Sequence, residues 1–187
     1  MLYPCPIRRA HATTTRPMVV SDRLVVHVLN RMGIDSPSWK SLIMLNFADA
    51  EADPERVWLT WADIANWPSM SPLVNATQWT SGDPWRPGSE FVAELNLGLR
   101  QRSETAKNRV MSVDPGRSAE WGLSGGGLRT AHLWRFEPRQ SGGVHITSVA
   151  VFHGSSMGIL KPFVAKRWQR LFQAQVEGLV DMADTGG

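Results

Sequence analysis

Residues 155–182 constrain this chain more than any other stretch. Gly154 and the Ser155-Ser156 pair break the preceding segment, Pro162 stands near a helix start, and about twenty residues without Pro follow, the pattern of one long helix. Along it Val164, Trp168, Leu171, Phe172, Gln175, Leu179 and Met182 recur at spacings of three and four, which places them in a stripe on one side. Lys161, Lys166, Arg167, Gln169, Arg170, Gln173 and Glu177 take the other side. At ~1.5 Å per residue the Pro-free run is on the order of 30 Å long. A stripe this wide and aromatic needs a partner surface in water. Residues 41–154 read as short strands, so the simplest burial is against one sheet.

A chain of 187 residues suits one domain with a real core. Its 42% hydrophobic and 20% charged residues are those of a globular protein, and no apolar run approaches the ~20 residues of a membrane span. We therefore expect no integral membrane association. The net charge of +3 is unevenly placed: residues 1–40 hold six Lys or Arg against two Asp or Glu, leaving fourteen basic and fifteen acidic side chains in residues 41–187. That balance argues against a nucleic-acid-binding body. Cys5, the one cysteine, has no partner for an internal disulfide, so a reducing cytoplasm is the expected setting and a tail thiol its expected role. Residues 1–17 lack the apolar stretch of a signal peptide, and Met18 is a second candidate start.

In chain order, Ser21 and Asp22 precede Leu24, Val25, Val28, Leu29 and Met32, with Gly33 after them, which reads as a short capped helix; the β-branched Val25, Val26 and Val28 make a strand its rival. Residues 41–48 form a first strand. Asp53-Pro54-Glu55 then opens a helix with a capping acid, Pro at its first position and a carboxylate on the positive dipole end. Val57, Trp58 and Trp61 are its buried side, and residues 63–67 add one more turn before Pro68 and Pro72. Six strands follow at 74–80, 90–97, 103–113, 117–123, 128–137 and 144–153, separated by turn-forming clusters such as Asp114-Pro115-Gly116 and Ser141-Gly142-Gly143.

This order, together with particular residues, resembles a known family. They are Asp53-Pro54-Glu55-Arg56-Val57-Trp58, Asp63-Ile64-Ala65-Asn66-Trp67-Pro68 with Ser71-Pro72, Pro87-Gly88-Ser89-Glu90-Phe91, Asp114-Pro115-Gly116-Arg117, Trp121-Gly122, the run from His132 to Pro138, Gly142-Gly143 and Phe152-His153-Gly154. The set is similar to the SRPBCC superfamily of START-like, helix-grip proteins, and within it to polyketide cyclase/dehydrase-type members. The resemblance implies an α+β helix-grip fold over residues 41–187: a curved seven-stranded antiparallel sheet wrapped around the long C-terminal helix, with two short helices after the first strand. Residues 1–40 are then a basic N-terminal extension with a short helix. It further implies an apolar or amphipathic ligand between sheet and helix, with a mouth near Leu97-Gly98-Leu99 and residues 124–127.

Strand period two assigns the inner face. Phe91, Ala93 and Leu95 alternate with charged neighbours and face the helix, as do Ala106, Asn108 and Val110. Trp121 faces in if Glu120 faces out; His132, Trp134 and Phe136 follow, then Val144, Ile146 and Ser148. The small Ala93, Ala106 and Ser148 leave room for a cavity, unless the nine Trp residues plug it. The expected ligand wall is Phe91, Ala93, Leu95, Asn108 and Val110, then Trp121, His132, Trp134 and Ser148, with Val164, Trp168, Leu171 and Phe172 from the helix. His132, with Ser148 as a cross-strand neighbour, and Glu104 are the candidate acid and base, set against a neutral core histidine and a solvated strand-end carboxylate.

Metal spacing is absent: His145 and His153 share a strand face but stand about 26 Å apart at ~3.3 Å per residue. Gly125-Gly126-Gly127 lacks the Lys and Ser or Thr of a phosphate loop. The sequence thus favours binding of a hydrophobic or amphipathic small molecule without metal or nucleotide cofactor, by a monomer or homodimer. Alternatives are a cyclase/aromatase or dehydratase-type enzyme using the same cavity, and an interaction module built on the helix around Leu24 to Met32.

Overall fold

The computed structural model describes residues 16–97, 104–125 and 127–186. The expectations for Cys5 and for most of the mouth segment beyond Leu97 lie outside them. Helix α1 (Arg16–Arg31) precedes strand β1 (Ser41–Ala50), helix α2 (Pro54–Ala62), a 3-10 turn at Ile64–Asn66 and the one-turn helix α3 (Trp67–Met70). Strands β2 (Val74–Ser81), β3 (Glu90–Leu95), β4 (Glu104–Asp114), β5 (Ser118–Gly125), β6 (Leu128–Pro138) and β7 (Val144–Gly154) lead into helix α4 (Ser155–Thr185). The strands form one curved antiparallel sheet in the order β1-β7-β6-β5-β4-β3-β2, so the chain returns to pair its first strand with its last. This is the helix-grip architecture.

Alternation along the strands divides two apolar layers. Leu42 and Met44 of β1, Trp134 and Phe136 of β6, and Ile146 and Ala150 of β7 face α4 and join Val164, Trp168, Phe172, Val176 and Leu179 in the main core. On the other face Ala131 and Leu133 pair with Val151 and Val149, and α1 covers them with Leu24, Val28 and Leu29 while Ile34 closes the edge. Helix therefore prevails over strand at residues 24–31: one side of α1 finds an apolar sheet, and tertiary burial outweighs β propensity. Its apolar side is occupied within the chain, so Leu24, Val28 and Leu29 are not free to contact a partner.

Three local expectations differ. Helix α1 starts at Arg16, so Ser21 and Asp22 lie inside it rather than capping it. Asp53 does occupy the N-cap of α2, with Pro54 following, but its side chain makes no capping hydrogen bond. Pro162 lies inside α4 rather than near its start, because the helix begins directly at the end of β7. Lacking an N–H, Pro162 leaves the Gly158 carbonyl without its helical donor. Glu120 faces away from α4 as alternation requires, yet it is buried: His27 and Arg31 of α1 and Ser112 of β4 all engage its carboxylate, Arg31 Nε at 3.1 Å and Ser112 Oγ at 2.9 Å.

Candidate functional site

The hollow between sheet and α4 is filled at one end by tryptophan. Trp61 of α2 is the hub, stacked on Trp85 at 4.5 Å between centroids and touching Trp58, Trp67, Trp121, Trp134 and Phe136 within 6 Å. Backbone carbonyls fix the neighbouring rings: Trp67 Nε1 donates to Trp61 O at 2.8 Å and Trp85 Nε1 to Ala62 O at 2.6 Å. Trp85 is held at φ 55°, a conformation that bulky residues rarely adopt. The stacking and the hydrogen bond offset that strain.

Beyond the tryptophans a cavity of about 50 Å³ remains. Its apolar wall includes Phe91, Ala93, Leu95 and Ala106 from β3 and β4, Trp121 and Trp134 from β5 and β6, Phe152 from β7 and Phe172 from α4. Four polar side chains break this wall: Asn108, Thr130, His132 and Gln175. His132 lies parallel to Trp121, 5.4 Å away with 3° between planes, with Phe172 on another side at 6.0 Å and Phe152 edge-on at 5.6 Å. Burial among these rings pushes its imidazole down to about 4, so it is neutral near pH 7. Asn108 Nδ2 donates to Ala106 O at 3.1 Å, and the Thr130 hydroxyl is buried without a partner among the described residues. Such a hydroxyl costs ~1–3 kcal/mol until something bonds to it.

The space holds a few waters and is well below the ~300 Å³ at which small-molecule pockets begin. Anything larger requires the wall to open. Leu95, Ala106, Leu123 and His132 are its partly exposed members, and the first three mark the side on which it can do so.

A family model described as polyketide cyclase/dehydrase and lipid transport matches residues 47–184. The chain belongs to that family. No curated protein matches it by sequence. Among solved structures it is similar to the Zhui aromatase/cyclase of Streptomyces, with TM-score 0.63, 12% identity, and 76% of this chain and 93% of that one covered. It is also similar to norcoclaurine synthase of Thalictrum flavum, with TM-score 0.57, 13% identity and coverages of 76% and 94%. A protein of Thermus thermophilus gives 0.63, 14%, 75% and 96%. At these identities the likeness is one of fold.

In this polyketide cyclase/dehydrase-family chain, the cavity collects Phe91, Ala93, Leu95, Asn108, Trp121, His132, Trp134 and Phe172 from the ligand wall expected of the sequence. Val110, Val164 and Trp168 lie instead in the packed core, and Leu171 is half-buried at its border. Ser148 points inward but stands opposite Trp134, while His132 pairs with Ala150; the strand register thus separates Ser148 from His132 by one inward position. Glu104 is exposed at the start of β4, opposite Leu95, and does not line the cavity. Sequence reasoning passed over Thr130 and Phe152, which share strand parity with His132 and Ser148, and omitted Gln175 from the wall although it lies in the α4 stripe. Trp67, Leu73 and Val74 carried no usable signal, because a one-turn helix and a strand entry have no period to read.

Proposed function

We propose that this protein binds a neutral, largely apolar small molecule between its sheet and α4, with a hydroxyl or carbonyl of the ligand against Asn108, Thr130, His132 and Gln175. The convergence of these four side chains on an otherwise apolar wall is the observation that carries this reading. Among the described residues the wall contains no Asp, Glu, Lys or Arg, and His132 is uncharged at neutral pH. A ligand carboxylate entering it loses its water without meeting a cation among the described wall residues, which costs several kcal/mol. A hydroxyl or carbonyl finds amide, imidazole and hydroxyl partners, including the unpaired Thr130 Oγ1. The named relatives, an aromatase/cyclase and a norcoclaurine synthase, are consistent with an aromatic or cyclising guest.

Titrating the protein with 2-naphthol and 2-naphthoate at neutral pH tests it through Trp121 and Trp134 fluorescence. Naphthol should quench with saturation and naphthoate should bind roughly tenfold or more weakly, the equivalent of ~1.4 kcal/mol. Equal binding, or none of either, would remove the proposal.

A second reading rests on His132 as an unprotonated imidazole with no hydrogen-bond partner among the described residues. It is available to take a proton from a ketone-bearing guest, as an aldol-type cyclase or dehydratase requires. A conjugate acid near 4 makes it a weak base, and Glu104 stands outside the cavity, so binding remains the primary reading. On the enzymatic reading, His132→Gln ends turnover of a poly-β-ketone analogue and leaves its binding intact.

A further inference from the structure

The outward face of the first half of α4 carries the two most exposed large apolar side chains among the described residues, Phe163 at 80% and Ile159 at 70%. They are one turn apart and so adjoin. Trp39, 63% exposed, extends the patch: its ring lies on the backbone of Gly158, where an added Cβ would fall 1.9 Å from a ring carbon. Lys40 Nζ sits 5.5 Å from the centre of that ring. Farther along the same helical face come the exposed Lys166, Arg167 and Arg170. From Ser155 to Val176 the helix holds four basic residues and no acidic one; Glu177, Asp181 and Asp184 are all in its last part. The acid nearest to Trp39 in sequence is Asp35.

We propose that this face docks on an anionic lipid bilayer. Aromatic and aliphatic tips beside Lys and Arg are the composition of interfacial helices: the tips enter the headgroup boundary and the cations meet lipid phosphates. A solvated helix face has no use for a Phe and an Ile standing almost fully out of the protein. A second copy fits poorly, because a two-fold contact through this patch brings Lys166, Arg167 and Arg170 of both copies into one interface. Docking here is peripheral, since among the described residues no helix is long and apolar enough to cross a membrane.

The patch also stands at the end of the molecule where the cavity wall is partly exposed. Trp168 Nε1 donates to Leu97 O at 3.2 Å, and Gly154 packs on the Gly127 carbonyl, so the start of α4, the end of β3 and the β5–β6 turn are neighbours. A bilayer at this face therefore lies beside the partly exposed part of the cavity wall, where the proposed guest would enter. The docking extends the ligand-binding proposal but does not depend on it, because it is read without any guest.

Co-sedimentation of the full chain with vesicles of phosphatidylcholine, with and without phosphatidylglycerol, provides the test. The protein should pellet with the mixed vesicles and roughly tenfold less with neutral ones, and added salt should release it. The Ile159→Ser, Phe163→Ser double variant and the Arg167→Gln, Arg170→Gln double variant should each lose most of the pelleting with an unchanged melting temperature. Failure to pellet with either vesicle, or undiminished pelleting of the Ile159→Ser, Phe163→Ser variant, overturns the proposal. So does velocity sedimentation showing a dimer that this variant disperses, which would assign the face to a second copy.

Discussion

His132 is the residue on which the chemistry turns, and its environment gives a signed prediction. Its folded value, about 4, lies below the ordinary 6.5, so between those limits the unfolded chain binds a proton that the native one refuses. Stability from this group is whole above about 6.5 and falls as pH drops toward 4, by up to roughly 3 kcal/mol. His153 is displaced in the same direction, by desolvation and then by Arg129 and Lys40, so the comparison must be made against a variant. Urea midpoints from pH 7 to pH 4 should drop more steeply for the native chain than for His132→Phe; parallel curves would show that the rings around His132 do not desolvate it as described. Thr130→Val, which removes the unpaired hydroxyl, should stabilise the empty protein slightly and weaken naphthol binding by about tenfold. Parity along β6 was enough to turn His132 and Trp134 inward from the sequence alone. It could not tell that Ser148 lies opposite Trp134, because that depends on the register between two strands, nor that Glu104 ends in solvent.

At the scale of elements, α4 shows how little room backbone contacts leave. A Cβ on Gly178 would lie 1.8 Å from the Met70 carbonyl oxygen, a backbone atom of α3 that cannot step aside. Gly178→Ala should cost about 1–3 kcal/mol of packing, more than its gain of ~1 kcal/mol in helix propensity. The same substitution at Gly158 meets only the exposed Trp39 ring, which can swing away, so Gly158→Ala should leave the melting temperature unchanged or raised by ~2–4 °C. Opposite outcomes at the two sites would contradict these contacts. Helix α1 is the second case. Leu29 is 1% exposed against the outer sheet face, and Leu29→Ala should cost about 2–5 kcal/mol in a urea titration. Removing residues 1–40 uncovers Leu133, Val149, Val151 and the Glu120 carboxylate, and the shortened chain should self-associate in velocity sedimentation; a stable, monomeric remainder would show that the outer layer is dispensable. The strands and α4 were legible because their hydrophobic periods are long and regular. The start of α1 and the interior place of Pro162 were not, because both are set by where neighbouring chain packs rather than by local residues.

As a whole molecule this is a sheet gripping a helix, with tryptophan filling much of the hollow and a small polar-tipped space left over. The sequence pattern supplied the layers and the strand count. It could not supply the size of the space, since nine tryptophans can either wall a pocket or close it, and the difference lies in ring packing around Trp61. The central claim is that the remaining space receives a neutral apolar guest. Native mass spectrometry of the full chain taken from its own host, beside Ala106→Phe, tests this most directly, because the added ring fills the cavity from β4 without touching His132 chemistry. The account predicts a co-purifying neutral compound on the native chain and none on a folded Ala106→Phe. A native chain that carries no small molecule and takes up no naphthol, or an Ala106→Phe protein that retains the same adduct, would contradict it.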